Sequence, residues 1–135
     1  MMADIQIDEA GYIHVTWSMH VGHPGGFGMK YRRSTYPEDI TQWNSVEYPS
    51  SVCASYAMMR TNGSIVYIFN RPGSHGSGYH MWYKDRNATS WNEKTIVAPR
   101  GSATYNTYAN IGEFFTLNGD LVCPWVHYYL SLIHI

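Results

Sequence analysis

Apolar and polar positions alternate in short runs along this chain. Ile5 and Ile7 stand between polar neighbours, Asp8 to Gly11 supplies turn residues, and Ile13, Val15 and Trp17 alternate again. A period of two marks strands with one buried face. The shape recurs. Asp8–Trp17, Arg60–Phe69 and Thr116–Trp125 share one frame, with Gly63 52 residues after Gly11 and Gly119 56 residues after Gly63. Trp17, Phe69 and Trp125 each stand six residues after their glycine. A second frame agrees: Met29 and Tyr31 match Met81 and Tyr83 at 52, and Trp43 matches Trp91 at 48.

Asn62-Gly63 and Asn118-Gly119 read as hairpin turns, since both residue types tolerate positive φ. No segment carries a helical period with caps. Four short strands per roughly fifty residues is the signature of a propeller blade. The expected fold is therefore all-β: a β-propeller fragment of about two and a half four-stranded antiparallel blades, near 3–50, 51–100 and 101–129. An immunoglobulin-like sandwich would not repeat its own sequence at this period. By alternation, His14 shares a face with Tyr12 and Thr16 and is expected to be structural.

Composition narrows the partners. Charged residues are 14% of the 135, against roughly 25% in typical soluble domains. Nine Lys+Arg against ten Asp+Glu leave no basic block for a phosphate backbone, so nucleic acid is not expected as a partner. No apolar run approaches the roughly 18 residues of a membrane span. Two cysteines, Cys53 and Cys123, are too few for a disulfide scaffold. The last six residues, Leu130 to Ile135, match the in-frame translation of a transposon adapter used in sequencing libraries and are expected not to be native. Met1 to Ala3 run straight into a patterned strand, which suggests an internal piece of a longer reading frame.

Three stretches resemble the BNR-repeat family that includes ulvan lyases and related polysaccharide lyases. They are Asp8–His20 with Lys30–Ser34 and Pro37–Trp43, then Ser55–Gly78, then Tyr108–Trp125. The Asp-box positions depart from the family pattern: Ser34 to Trp43 is two residues too long, and Lys84 to Trp91 lacks the Ser and Gly. The resemblance implies a closed β-propeller, an extracellular or periplasmic location, an anionic uronate-containing polysaccharide as partner, and no cofactor.

It also implies site residues. His20 closes the second strand where the glycine-rich run Val21–Gly28 begins, and the family places a catalytic histidine at the matching position. Tyr56 and Arg71 lie at the ends of strands joined by the Asn62-Gly63 turn. In the family, a tyrosine and an arginine at about this spacing serve as general acid and carboxylate clamp. Tyr108, preferred over Tyr105, matches a further tyrosine entering the third blade. The chemistry is coherent: an arginine neutralises the uronate carboxylate, a histidine or tyrosinate takes the C5 proton, and a tyrosine protonates the leaving oxygen.

Other readings stay open. His20 and His23, or His75, Cys123 and His127, could suggest a metal, but neither set has a complete ligand pattern, so no metal is assigned. A non-catalytic carbohydrate-binding propeller is the alternative function, and a sialidase-like hydrolase the third. The absence of an Arg-Ile-Pro motif weighs against the last.

Overall fold

The alternating segments form strands throughout the computed structural model, which describes residues 2–18, 28–50, 54–72, 78–97, 105–109, 114–115, 118–122 and 125–129. In chain order they are β1 (Met2–Ile7), β2 (Ile13–Ser18), β3 (Lys30–Arg33), β4 (Ala54–Asn62), β5 (Ile65–Pro72), β6 (Tyr79–Asp85), β7 (Asn92–Val97), β8 (Tyr105–Ala109), β9 (Phe114–Phe115), β10 (Leu121–Val122) and β11 (Trp125–Tyr129). The described residues contain no helix, and so none long and apolar enough to cross a membrane.

All pairing among the described strands is antiparallel, and in the first two sheets it joins chain neighbours. The first sheet runs β1-β2-β3, and the second runs β4-β5-β6-β7. A segment carrying Trp43 and Glu47 lines the free edge of β3 through bridges Ser34↔Trp43 and Tyr31↔Glu47. In the third unit β8 pairs with β11 and β9 with β10. The first sheet packs on the second through β1, β2 and β4, and β8 lies against β5 and β6.

The three repeat glycines all adopt the left-handed backbone: Gly11 at φ 84°, Gly63 at 57° and Gly119 at 81°. Glycine does so without the steric cost of a Cβ. The turns themselves differ. In the first hairpin Ile7 pairs with Ile13, leaving a five-residue loop, 8–12, organised by Asp8. Its Oδ1 accepts the backbone N–H groups of Ala10 and Tyr12 at 2.9 and 3.0 Å. In the second, Asn62 pairs with Ile65, so the turn is Gly63-Ser64 rather than the expected Asn62-Gly63. Only the first central residue has positive φ, as in a type II′ turn.

That difference in loop length decides which face each side chain joins. Thr16 pairs with Tyr31, while Phe69 pairs with Met81. Tyr31 joins Met29, Ala57, Met59, Val66, Ile68 and Trp82 in the core between the first and second sheets. Phe69, Tyr79 and Met81 form another cluster on the far face of the second sheet, with Leu121 of the third unit packed on it. Trp17, one residue from Thr16, points away from the first core, whereas Phe69 points toward the third unit. The two aromatics are equidistant from their glycines but lie on opposite faces, because a one-residue shift flips a strand residue.

The expected inward face of the first sheet is corrected in the same way. Ile5 and Ile7 are exposed, at 61% and 63%. His14, Thr16 and Ser18 are the buried residues of β2. The polar stripe faces the second sheet, and hydrogen bonds satisfy it.

Candidate active site

Antiparallel register and the contact of Ala57 with Ser18 bring the end of β2, the start of β4 and the end of β5 to one side of the first two sheets. Ser18 pairs with Met2, Ala54 with Pro72, and Tyr105 with Tyr129. Of the sequence-predicted site residues, Tyr56 and Arg71 belong to the paired β4 and β5 on this side.

Arg71 is near the end of β5, and its Cα partner on β4 is Ser55. It is the largest fully buried side chain among the described residues, at 1% exposure. Alternation along β5 puts it on the face of Phe69, toward the third unit. Tyr56 follows Ser55 on β4, inside a register shift between Ser55 and Met58. Such a bulge sets two residues opposite one and re-aims the strand, and bulges concentrate beside active sites. Tyr108 is on β8, with Val126 as its Cα partner, along the strand that meets β5. His20 lies outside the described residues, two positions beyond the end of β2. The structure thus sets Tyr56 and Arg71 on paired strands and carries Tyr108 on the neighbouring one.

Asn70, beside Arg71, is a residue that sequence reasoning missed. It is fully buried and faces the first sheet, with Nδ2 3.2 Å from the Met29 sulfur. Its Oδ1 has no hydrogen-bond partner. No local sequence signal marks it.

The opposite side holds a denser polar cluster between the two sheets, also unforeseen. Tyr31 OH is 2.7 Å from His14 Nδ1, and His14 Nε2 is 3.3 Å from Asp8 Oδ2. Arg86 of the second sheet's β6–β7 turn donates to the same Asp8 oxygen at 2.6 Å. Burial lowers the His14 pKa: desolvation outweighs the pull of Asp8, and the nearby cations Arg33 and Arg86 add to it. Burial alone would raise Asp8, but Arg86, the Tyr12 amide and His14 hold it below its ordinary value. Desolvation raises Tyr31 strongly. This constellation looks like a relay, yet His14 and Tyr31 are fully buried, which suits joining sheets better than meeting a substrate.

A second pair lies close by. Lys84, 3% exposed, donates to both Glu47 oxygens at 2.8 and 2.7 Å and to the Ala88 carbonyl at 3.1 Å. Trp91 Nε1 donates to Glu47 Oε2 at 2.7 Å. The lysine ammonium sits over Tyr31 and Trp91, 5.3 and 5.2 Å from the ring centres.

Among the described residues no three His, Cys, Asp or Glu side chains are grouped to hold a metal. Of the residues considered for zinc, His75 and Cys123 lie outside the described set, and His127 is on β11. The degenerate Asp-box segment still folds into a compact turn. Ser34 Oγ accepts the Ile13 N–H, Asp39 Oδ1 accepts from Thr41, and Trp43 Nε1 donates to the Ile40 carbonyl.

The sequence profile of the BNR repeat-containing family matches residues 2–127 of this chain of repeated antiparallel sheets. The chain belongs to that family. An ulvan lyase of Alteromonas sp. (strain LOR) is 29% identical over 83 residues, which is 54% of this chain and 17% of the relative. The fold is similar to that of a solved PL25 ulvan lyase bound to -[GlcA(1-4)Rha3S]-, with TM-score 0.67 and 19% identity. That match covers 93% of this chain and 31% of the other. A second solved PL25 ulvan lyase matches with TM-score 0.58 and 21% identity over 80% of this chain and 28% of its own. The chain therefore spans less than a third of the length of each of these relatives.

Proposed function

We propose that this chain is part of a polysaccharide lyase that cleaves a uronate-containing, ulvan-like glycan by β-elimination. In this reading the sheets are blades of a β-propeller, near 3–50, 51–100 and 101–129, and the whole protein is extracellular or periplasmic. The observation that carries the reading is Arg71, buried at the strand end with Ser55 as its Cα partner and Tyr56 in the adjoining bulge. Family membership and the sugar-bound ulvan lyase of similar fold support it.

The chemistry follows from that placement. A guanidinium shielded from water attracts a carboxylate far more strongly than a surface arginine does. Arg71 would pair with the uronate carboxylate and stabilise the enolate-like charge as the C5 proton leaves. His20 or a deprotonated Tyr56 would accept that proton. The electron pair of the C5–H bond becomes the C4=C5 double bond as the C4–O bond breaks. Tyr56 as acid would protonate the departing oxygen, and Tyr108 would line the same side from the third unit.

The test is Arg71→Ala and Tyr56→Phe in the full-length protein, following the absorbance of unsaturated uronate on ulvan. An interaction made mainly in the transition state lowers kcat and kcat/KM together. The expected loss for Arg71→Ala is about 10²–10³-fold. Binding of the glycan without any unsaturated product from the unmutated protein would favour the carbohydrate-binding alternative. Full activity in both mutants would show the catalytic residues to be elsewhere.

A further inference from the structure

Packing does not explain Asn70. The residue is fully buried on the face of β5 turned to the first sheet, yet its Oδ1 has no hydrogen-bond partner. Its Nδ2 meets only the Met29 sulfur, a weak acceptor. A buried acceptor left unmade costs stability that an apolar side chain of similar shape would avoid.

The cross-strand neighbour of Asn70 is His80. The two are Cα partners on β5 and β6, so their side chains stand together on one face. His80 Nδ1 is 2.6 Å from Glu93 Oε1 of β7, and the ring stacks on the buried Trp82 with 5.5 Å between centres. With Nδ1–H donated to the carboxylate, Nε2 is left as an acceptor. It too has no hydrogen-bond partner among the described residues. A register shift between Tyr79 and His80 re-aims this end of β6, as the shift beside Tyr56 does on β4. The His80 side chain is 17% exposed and Asn70 not at all, so the pair has one edge at the surface and one buried wall.

We propose that Asn70 Oδ1 and His80 Nε2 form a hydroxyl-binding subsite, which accepts the two O–H groups of a sugar's vicinal diol. Two neighbouring acceptors call for a ligand with two neighbouring donors, and the carboxylate of Glu93 disfavours a carboxylate or sulfate there. Asn70 and Arg71 are consecutive on β5 and point to its opposite faces. The subsite and the carboxylate clamp therefore grip different groups of one glycan. That last step rests on the lyase reading, whereas the diol site itself does not.

The probe is methyl β-D-glucopyranoside, which carries a 2,3-diol and no carboxylate, compared with its 2,3-dideoxy analogue. Each is titrated into the full-length protein with isotope-labelled histidine. The His80 Nε2 resonance, identified by its loss in His80→Gln, is expected to move with the diol and not with the dideoxy sugar. Asn70→Leu should weaken diol binding by about 3–10-fold, the worth of one neutral hydrogen bond. It should also raise the midpoint of chemical denaturation, because an unsatisfied buried amide is removed; a purely structural Asn70 would lower the midpoint and leave binding unchanged. Glu93→Ala, at an exposed position, should weaken binding as well and decides the matter should Asn70→Leu fail to fold. On ulvan, Asn70→Leu should raise KM by a similar factor. A resonance indifferent to the diol, or binding indifferent to both substitutions, would overturn the subsite. Diol binding that depends on Asn70 in a protein that cleaves no ulvan would support the subsite and overturn the lyase reading alone.

Discussion

The first and second sheets are built from the same repeat but are buried differently. The second is covered on both faces, by Met29 and Tyr31 on one and by Leu121 on the other. Among the described residues the first is covered on one face only, and there β2 contributes a polar stripe, His14, Thr16 and Ser18, beside Met29 and Tyr31. Burial in this molecule follows the neighbouring sheet rather than the hydrophobicity of the strand. A polar stripe can face a core where each group finds a partner, as Thr16 Oγ1 does on the Lys30 carbonyl at 2.9 Å.

The sharpest way to break the contrast is to truncate one aromatic in the doubly covered sheet. Phe69→Ala should destabilise the chain by about 3–5 kcal/mol, read from chemical denaturation, because it empties a fully buried site. Asp8→Ala comes next, at about 3 kcal/mol, since it strands Arg86 and His14 in the seam between sheets. A rise in stability on that substitution would mean that the seam is held by apolar contact alone.

Acid should open the same seam. The folded His14 has a pKa below its ordinary 6.5, so the unfolded chain binds a proton first as pH falls. Stability is then full above about 6.5 and declines below it, by at most about 1.4 kcal/mol per pH unit from this group. Asp8 is also depressed, and its contribution is lost as pH falls below 3.8. Equilibrium unfolding between pH 7 and 5 should show the first decline, and His14→Gln should remove it. Gly63→Ala should cost about 1 kcal/mol, because φ is 57° there and the closest atom to a new Cβ is 3.4 Å away, so backbone strain acts without a clash. Smallest of all is Ile7→Ala on the open face, within about 0.5 kcal/mol. A cost as large as that of Phe69→Ala would show that the face is already covered in solution.

Much of the candidate site was legible as positions along strands. Tyr56 and Arg71 could be set on paired strands because the Gly63 turn lies between them and antiparallel pairing does the rest. The depth of Arg71 could not be read. Burial of a guanidinium depends on what the third unit lays over β5, and no local pattern encodes that. The register shift beside Tyr56 was equally hidden, since one inserted residue leaves no mark of its own in the local pattern of residues 54–62. Asn70 and the seam of Asp8, His14, Tyr31 and Arg86 join residues up to 78 positions apart, beyond any spacing rule.

By itself the sequence determined the strands, their hairpins and their period. Those features rest on local physics: alternation at period two, and glycines whose missing Cβ permits positive φ at Gly11, Gly63 and Gly119. The tertiary structure alone decided which face of each strand is inside. A five-residue loop at Asp8 and a two-residue turn at Gly63 differ by an odd number, so Trp17 and Phe69 part to opposite faces. Whether a face is then buried depends on the sheet that packs against it, and that sheet is remote in the chain.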